Sequence, residues 1–293
     1  MNETPSTGKW KHPKFDYAEA STTEEACYLL SQYEGSAKLV AGGTDLLVAM
    51  RRQKIAPQHV INIKTIRDLD YIHYDGKSLR IGALSTLNDI ETSPLVRERF
   101  PLIASSAHLI GKPQIRNVGT IGGNLCNAAP SADMAPSLIG LGAKAKIKGT
   151  QGERTVHLEN FFIGPGKSAL QTDEMLVEIQ VENPSPDTRG VYIKLPARTA
   201  KDIAVVGVAT VFKFDSNEVK IVLCAVAPTP VRAHKAERVI RGYTLNAELI
   251  QKASLAAAEE SKPISDIRGS ASYRKEMVKV LTAQALRQLA VLD

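Results

Sequence analysis

Two pairs of adjacent glycines, about 80 residues apart, constrain this chain more than any other feature. The first lies in Leu39-Val40-Ala41-Gly42-Gly43-Thr44-Asp45-Leu46, the second in Thr120-Ile121-Gly122-Gly123-Asn124. Glycine adopts positive φ without steric penalty and lets the main chain come close to a ligand. Successive N–H groups in such a turn can converge on an anion. The first pair also connects a short apolar run, Ala37 to Ala41, to the helical pattern Leu46-Leu47-Val48-Ala49-Met50, so a helix start faces whatever the loop holds. Thr44 and Thr120 add hydroxyl groups. Either pair alone equally describes a plain turn; together they describe a clamp on a diphosphate from both sides. Neither fits G-x-G-x-x-G or G-x-x-x-x-G-K-[ST], so the two common mononucleotide and dinucleotide folds are disfavoured.

The surrounding pattern falls into three regions. In residues 1–65, Ser21-Thr22-Thr23-Glu24 has capping-box spacing, and Ala26, Leu29, Leu30 and Tyr33 follow as a helix stripe. His59-Val60-Ile61-Asn62-Ile63 is a second short strand. Residues 66–183 mix strands at 79–84, 143–148, 155–158 and 176–181 with helices near 86–98, 100–110 and 133–141. Asn183-Pro184-Ser185-Pro186-Asp187 is a linker or long turn. Beyond it come strands at 191–195, 205–214 and 218–227, with Ser216-Asn217 as a hairpin turn, then helices near 247–260 and 271–291. The expectation is an α+β chain: a domain over 1–183 in two lobes (about 1–65 and 66–183), then a smaller domain over 184–293 with an antiparallel sheet and helices on one face.

Composition excludes several function classes. The net charge of +6 is spread along the chain, no basic block reaches five residues, and aromatics are 5%, too few for a base-stacking platform. No nucleic-acid partner is expected. No apolar run approaches a membrane span, and residues 1–15 lack the apolar core of a signal peptide, which points to a cytoplasmic protein. Cys27, Cys126 and Cys224 form no CxxC pair, so neither a disulfide framework nor a cysteine-ligated zinc or iron–sulfur site belongs to this chain. His12, His59, His73, His108, His157 and His234 show no ligand spacing; no metal site is expected.

Ala41-Gly42-Gly43-Thr44-Asp45-Leu46-Leu47, followed by the stretch from Ile110 through Asn117-Val118-Gly119-Thr120-Ile121-Gly122-Gly123-Asn124-Leu125 to Pro130-Ser131-Ala132-Asp133, resembles the FAD-binding subunit of molybdenum hydroxylases, which include xanthine, carbon monoxide, nicotinate and isoquinoline-type oxidoreductases. The likeness continues at Gly82-Ala83-Leu84, residues 174–179, Lys194 through Arg198 to Ala204, residues 226–232 and Tyr273-Arg274, and so covers nearly the whole chain. It implies a two-lobed FAD domain of the vanillyl-alcohol oxidase type and a smaller C-terminal domain.

The resemblance also implies roles. Leu39, Val40, Ala41, Gly42, Gly43, Thr44, Asp45 and Leu46, with Thr120, Ile121, Gly122, Gly123 and Asn124, would hold the FAD diphosphate, which makes Gly122→Val a variant expected to fold without FAD. Asp133 would hydrogen-bond the cofactor on its ribose or adenine side, or cap the helix that follows it, or both. Ile110 and Leu176 would pack near the ring systems. Lys194 would lie by the isoalloxazine, or be a solvated strand residue. Tyr192 and His108 have the same two options, flavin neighbour or ordinary strand and helix residues. Cys126 reads as a small packed residue near the cofactor. Residues 198–202 match a loop that borders the flavin in relatives, and here it lacks an acidic cluster, leaving NAD open as acceptor. The molybdenum cofactor and two [2Fe–2S] clusters would sit on partner subunits, in a heterotrimeric complex. The rivals are a stand-alone flavin oxidoreductase, for which no acid or base over the flavin is visible, and a flavin-free scaffold.

Overall fold

The chain begins with a small parallel sheet. In the computed structural model, which describes residues 13–199 and 201–290, β1 (Asp16–Glu19) leads to α1 (Thr23–Gln32), β2 (Ala37–Val40), α2 (Leu46–Arg51) and β3 (His59–Asn62). β3 lies between β1 and β2, parallel to both. The cap of α1 sits one residue later than the Ser21–Glu24 spacing suggests: the Thr22 hydroxyl accepts from Glu25 N at 3.1 Å, and the Glu25 carboxylate accepts from Ser21 N at 2.7 Å. Glu24 turns away instead to pair with Lys148.

A second, antiparallel sheet follows. β4 (Ile72–Tyr74) and β5 (Ser78–Gly82) precede a run of short helices: α3 (Leu87–Thr92), α4 (Pro94–Arg99), α5 (Pro101–His108), α6 (Pro113–Arg116), α7 (Ile121–Cys126) and α8 (Met134–Gly140). The prolines explain the punctuation. Pro94, Pro101 and Pro113 each occupy a first helical position, where the missing N–H is harmless but the preceding helix must stop. The single helix expected over 86–98 is therefore two, with Ser93 closing α3 and capping α4. β6 (Lys144–Gly149), β7 (Gly152–His157), the small pair β8 (Phe162–Gly164) and β9 (Lys167–Ser168), and β10 (Met175–Glu182) complete this half. The sheet order is β4-β5-β10-β6-β7, and Ile81, Ile147, Ile179, Phe100, Ile103 and Leu138 pack in its core.

After the proline linker, β11 (Thr188–Pro196), β12 (Ala204–Lys213), β13 (Glu218–Cys224) and β14 (Val231–Arg232) form an antiparallel sheet in that order, followed by α9 (His234–Ile240), α10 (Ala247–Glu260) and α11 (Ala271–Ala290). β12 is buried along almost its whole length because both its faces are covered. Side chains alternate across a strand, so Val206, Val208 and Phe212 join the core under α10 and α11, while Ala209 and Val211 join the core around α8. That double burial is why the sequence there is a continuous apolar run rather than an alternation. It also means that α8, from the first half, is the element on which the second half packs. Among the described residues no helix is long and apolar enough to cross a membrane.

Candidate functional site

The first glycine loop leaves β2 at Val40 and enters α2 at Leu46, with Gly43 at φ +70° making the turn. Among the described residues, no acceptor meets the main-chain N–H of Gly42, Gly43, Thr44, Asp45 or Leu46. Asp45 stands at the N-cap of α2 but makes no side-chain cap bond. Five successive unengaged donors at a helix start are what the glycines suggest an anion would use.

The second loop is built differently. Thr120 caps α7, its hydroxyl accepting from Gly123 N at 3.0 Å. Ile121 N donates to Ser85 O at 3.1 Å, Gly122 N to Ala83 O at 2.9 Å, and Asn124 N to Thr120 O at 3.0 Å. Its donors are thus engaged within the fold, and the loop is itself the first turn of a helix that the sequence pattern does not reveal. What it presents is exposed Gly123 and the Asn124 side chain, whose Oδ1 is buried without a hydrogen-bond partner. An orphaned buried acceptor is a group that a polar ligand can satisfy.

Close main-chain approach fixes the two loops in place. A Cβ on Gly42 would overlap the Val118 carbonyl oxygen outright. Gly122 is buried, and a Cβ there would stand 2.6 Å from Ala83 O and 2.9 Å from Ala83 Cβ. Gly122 therefore serves helix-to-strand packing. Gly122→Val tests that packing, not the cradle.

Asp133 stands at the start of α8 without capping it. Its carboxylate, 7% exposed, accepts from Tyr192 Oη at 2.6 Å and from Lys194 Nζ at 2.8 Å. The Lys194 ammonium, 2% exposed, also donates to Leu109 O at 2.9 Å. Neither the helix cap nor the solvated strand lysine is what the structure contains. Burial pushes the Asp133 carboxyl up, and the Lys194 charge and the two hydrogen bonds pull it back. Tyr192 is a buried strand residue, its hydroxyl held well above its ordinary range by burial.

The turn after α5 is ringed by cations. Lys201 donates to His108 O, Lys194 to Leu109 O, and Arg116 Nη1 to Ile110 O at 3.3 Å and Gly111 O at 3.0 Å. Arg116 in turn holds Glu91, whose other oxygen meets His108 Nδ1 at 2.6 Å. His108 is accordingly a surface residue tied to Glu91. Ile110 is half-buried against the main core and Leu176 is fully within it. Burial pushes the Cys126 thiol up to about 12. In the segment 198–202, Arg198 pairs with Asp202 at 3.1 Å, and Ala200 lies outside the described residues. The pairing of Arg116, Glu91 and Lys201 carried no sequence signal, since their partners lie on other elements. Among the described residues no group of histidine, cysteine or carboxylate side chains could hold a metal ion. A cleft of about 760 Å³ opens at the opposite end of α8, between Gly142, Lys144, Lys220 and Arg232, and includes none of the loop residues.

Comparison with known proteins bears on the whole chain. The family model of the FAD binding domain in molybdopterin dehydrogenase matches residues 13–184, and that of the CO dehydrogenase flavoprotein C-terminal domain matches residues 191–289. The carbon monoxide dehydrogenase medium chain of Hydrogenophaga pseudoflava is 36% identical over 277 residues, covering 94% of this chain and 96% of its own. The xanthine dehydrogenase FAD-binding subunit of Escherichia coli O157:H7 is 32% identical over 283 residues, covering 94% and 96%. A solved structure of carbon monoxide dehydrogenase from Hydrogenophaga pseudoflava superposes with a TM-score of 0.92 over 94% of this chain and 97% of that one.

Proposed function

This chain belongs to the FAD-binding medium subunits of the xanthine dehydrogenase and carbon monoxide dehydrogenase family of molybdenum hydroxylases, and on that premise we propose that it relays electrons from [2Fe–2S] clusters of a partner subunit, through one FAD, to NAD or another acceptor. The carrying observation is the row of unengaged N–H groups from Gly42 to Leu46 at the start of α2. Those five donors suit a diphosphate, which presents several charged acceptors and needs no cation when main-chain dipoles converge on it. Leu39, Val40 and Ala41 wall the cradle on the strand side. On the other side the Asn124 carbonyl accepts from a cofactor donor, Thr120, Ile121 and Gly122 hold the α7 start in register, and Gly123 leaves room at its exposed Cα.

When bound, FAD supplies the exchange between single-electron delivery by an iron–sulfur partner and pairwise delivery to an acceptor. The chain's own residues bind and orient. Ile110 and Leu176 offer apolar contact for the ring systems, and Asp133 and Lys194 set a compensated charge pair beside them, so no net charge is buried there. Substrate oxidation belongs to a molybdenum subunit, and the assembly is a heterotrimer of these three chains. The division at residues 183 and 184 falls in the Asn183–Asp187 linker, between FAD-binding and C-terminal domains.

An absorbance spectrum of the purified chain tests this. The expected result is flavin bands near about 370 and 450 nm and one FAD per chain released on heating. A colourless chain that also takes up no added FAD sinks the reading. Copurification with an iron–sulfur and a molybdenum subunit is the second expectation, and NAD against artificial dyes in turnover of that complex identifies the acceptor.

A further inference from the structure

β13 carries one lysine in an otherwise apolar stretch, Val219-Lys220-Ile221-Val222-Leu223. Lys220 lies opposite Val211 of β12 and two residues before Val222. Both valines belong to the core around α8, so the Lys220 side chain is directed at the end of that helix. Two glycines leave room for this approach. A Cβ on Gly140 would stand 2.8 Å from Val211 Cγ2, and one on Gly142 would stand 3.4 Å from Lys220 Nζ. The lysine is half-buried there, lining the cleft of about 760 Å³ between the two domains. The other cations of the cleft are already paired: Lys144 with Glu182 at 2.8 Å, Lys213 with Glu218 at 3.6 Å, and Arg232 with Glu159 at 3.3 Å and Glu237 at 2.6 Å. His157 and Asp215, both exposed, are the remaining titratable groups of its lining. Among the described residues Lys220 has no hydrogen-bond or ion-pair partner, not even a carbonyl at the end of α8. An ammonium taken partly out of water without a counter-charge costs free energy. Burial and the neighbouring Arg232 charge accordingly hold it below its ordinary range.

We propose that Lys220 anchors a second ligand site, in which a small organic molecule bearing a phosphate or carboxylate group lies in the interdomain cleft with its oxyanion on the Lys220 ammonium. The oxyanion supplies the counter-charge that no protein group provides, through a charge-assisted hydrogen bond. The cleft is much larger than a bare oxyanion and falls in the range that small-molecule sites occupy. Its other walls suit the rest of such a molecule: Asn183 and Ser185 of the linker offer an amide and a hydroxyl, and Leu141 and Pro184 offer apolar surface. Leu141 belongs to the first domain and Lys220 to the second, so one molecule there touches both sides of the junction. No residue of either glycine loop lines the cleft, so its occupancy is separate from that of the FAD site.

The test uses the full chain and three probes: sodium sulfate, sodium acetate and pyridoxal 5′-phosphate, an anionic aldehyde. Sulfate and acetate binding are read by calorimetry and thermal unfolding, with ionic strength held constant by chloride. A response to sulfate alone assigns a phosphate-type ligand, to acetate alone a carboxylate, and to both any oxyanion; a response to neither overturns the proposal. Lys220→Met should weaken the binding seen by at least about tenfold. Lys252→Met, on an exposed lysine of α10 paired with Glu248, should leave it unchanged, and equal responses from all three chains refute the site. In buffer without oxyanions Lys220→Met should melt no lower than wild type, since it removes an uncompensated charge and keeps the apolar stem. A clear loss there would mean that the ammonium has a protein partner, and the site would have no basis. Pyridoxal 5′-phosphate needs no variant. The uncharged Lys220 amine attacks the aldehyde carbon, the C=N bond forms and water leaves; borohydride then delivers hydride to that carbon, and the stable secondary amine is located by peptide mass spectrometry. Lys220 should be marked ahead of exposed lysines at pH 7.5, and the oxyanion that binds should protect it. Labelling spread over exposed lysines and indifferent to oxyanions overturns the proposal. No arm depends on flavin content, so failure here leaves the FAD reading untouched, and failure of that reading leaves this one.

Discussion

Gly42→Ala probes the contact that brings the two loops together. The new methyl would overlap the Val118 carbonyl oxygen, stand 2.6 Å from its carbon and lie 3.0 Å from Gly119 Cα. All three atoms are main chain, so no rotamer change relieves the clash. Returning the carbon alone to ordinary contact at 3.4 Å requires the loops to part by nearly 1 Å. Overpacking of this kind costs about 1–3 kcal/mol where side chains can yield, and a backbone-only clash belongs at the upper end, ~3 kcal/mol. For a domain of this size each kcal/mol corresponds to roughly 2–4 °C, so the flavin-free chain should melt ~6–12 °C lower. The same displacement moves the Gly42–Leu46 donors away from α7. Losing one or two bonds to a charged diphosphate, each ~1.5–3 kcal/mol, weakens FAD binding at least about tenfold. Gly123→Ala is the control. Its methyl meets nothing nearer than the Thr120 hydroxyl at 3.0 Å, and alanine gains up to ~1 kcal/mol in a helix, so its melting temperature should hold or rise. Any FAD loss in that variant then reports a ligand lying against α7. Calorimetry and FAD titration read both quantities. A Gly42→Ala chain with wild-type melting temperature and wild-type FAD content would refute the reasoning.

Gly122→Val should lower soluble yield and melting temperature whether or not FAD is added, since Ala83 blocks the side chain; a well-folded, flavin-free product would instead restore Gly122 to the cradle. Arg274→Met should destabilise by about 3–5 kcal/mol in urea, because buried Arg274 bonds Val205 O, Ala225 O and Asp266 at once, and a loss under 1 kcal/mol contradicts this. The three thiols should stay silent to a thiol reagent at pH 8 and react only after unfolding, since burial holds Cys27 at about 11, Cys126 at about 12 and Cys224 higher still. The Glu174 carboxyl is held below its ordinary 4.5 mainly by the paired bonds from Arg154. Its folded-state value being lowered, the stabilisation is complete above 4.5 and disappears as pH falls through the folded value. Unfolding curves between pH 6 and 3 should therefore be steeper for wild type than for Arg154→Met, and parallel curves would dismiss the pair.

What could be read from the sequence was what depends on neighbours along the chain. The strand–turn–helix of the first loop is local, and so is its row of free donors. The apolar runs and the Ser216-Asn217 turn placed the β12–β13 hairpin to within three residues at every end. α7 escaped notice because two glycines oppose helix propensity there; packing of Gly122 against Ala83 decides the matter, and that contact spans 39 positions. Asp133 shows why site chemistry is harder. Its role as a helix cap could be guessed from Met134-Ala135-Pro136, but its real partners lie 59 and 61 residues later on another sheet. The same holds for Arg116 and Glu91, which meet only once α6 packs against α3, and for Lys201, which reaches His108 O from the second domain.

The order of strands in the first half has a consequence for how the protein is made. In the parallel sheet the middle strand, β3, is synthesised last, and in the antiparallel sheet β10 is inserted last between β5 and β6. Until residue 182 leaves the ribosome, the hairpins β4–β5 and β6–β7 each expose an edge that only β10 can close. Non-local closure of this kind is slow, and open edges invite pairing with other chains in the meantime. A nascent chain stalled before Met175 would thus be an aggregation hazard, whereas one reaching Glu182 could complete this half before the C-terminal strands exist.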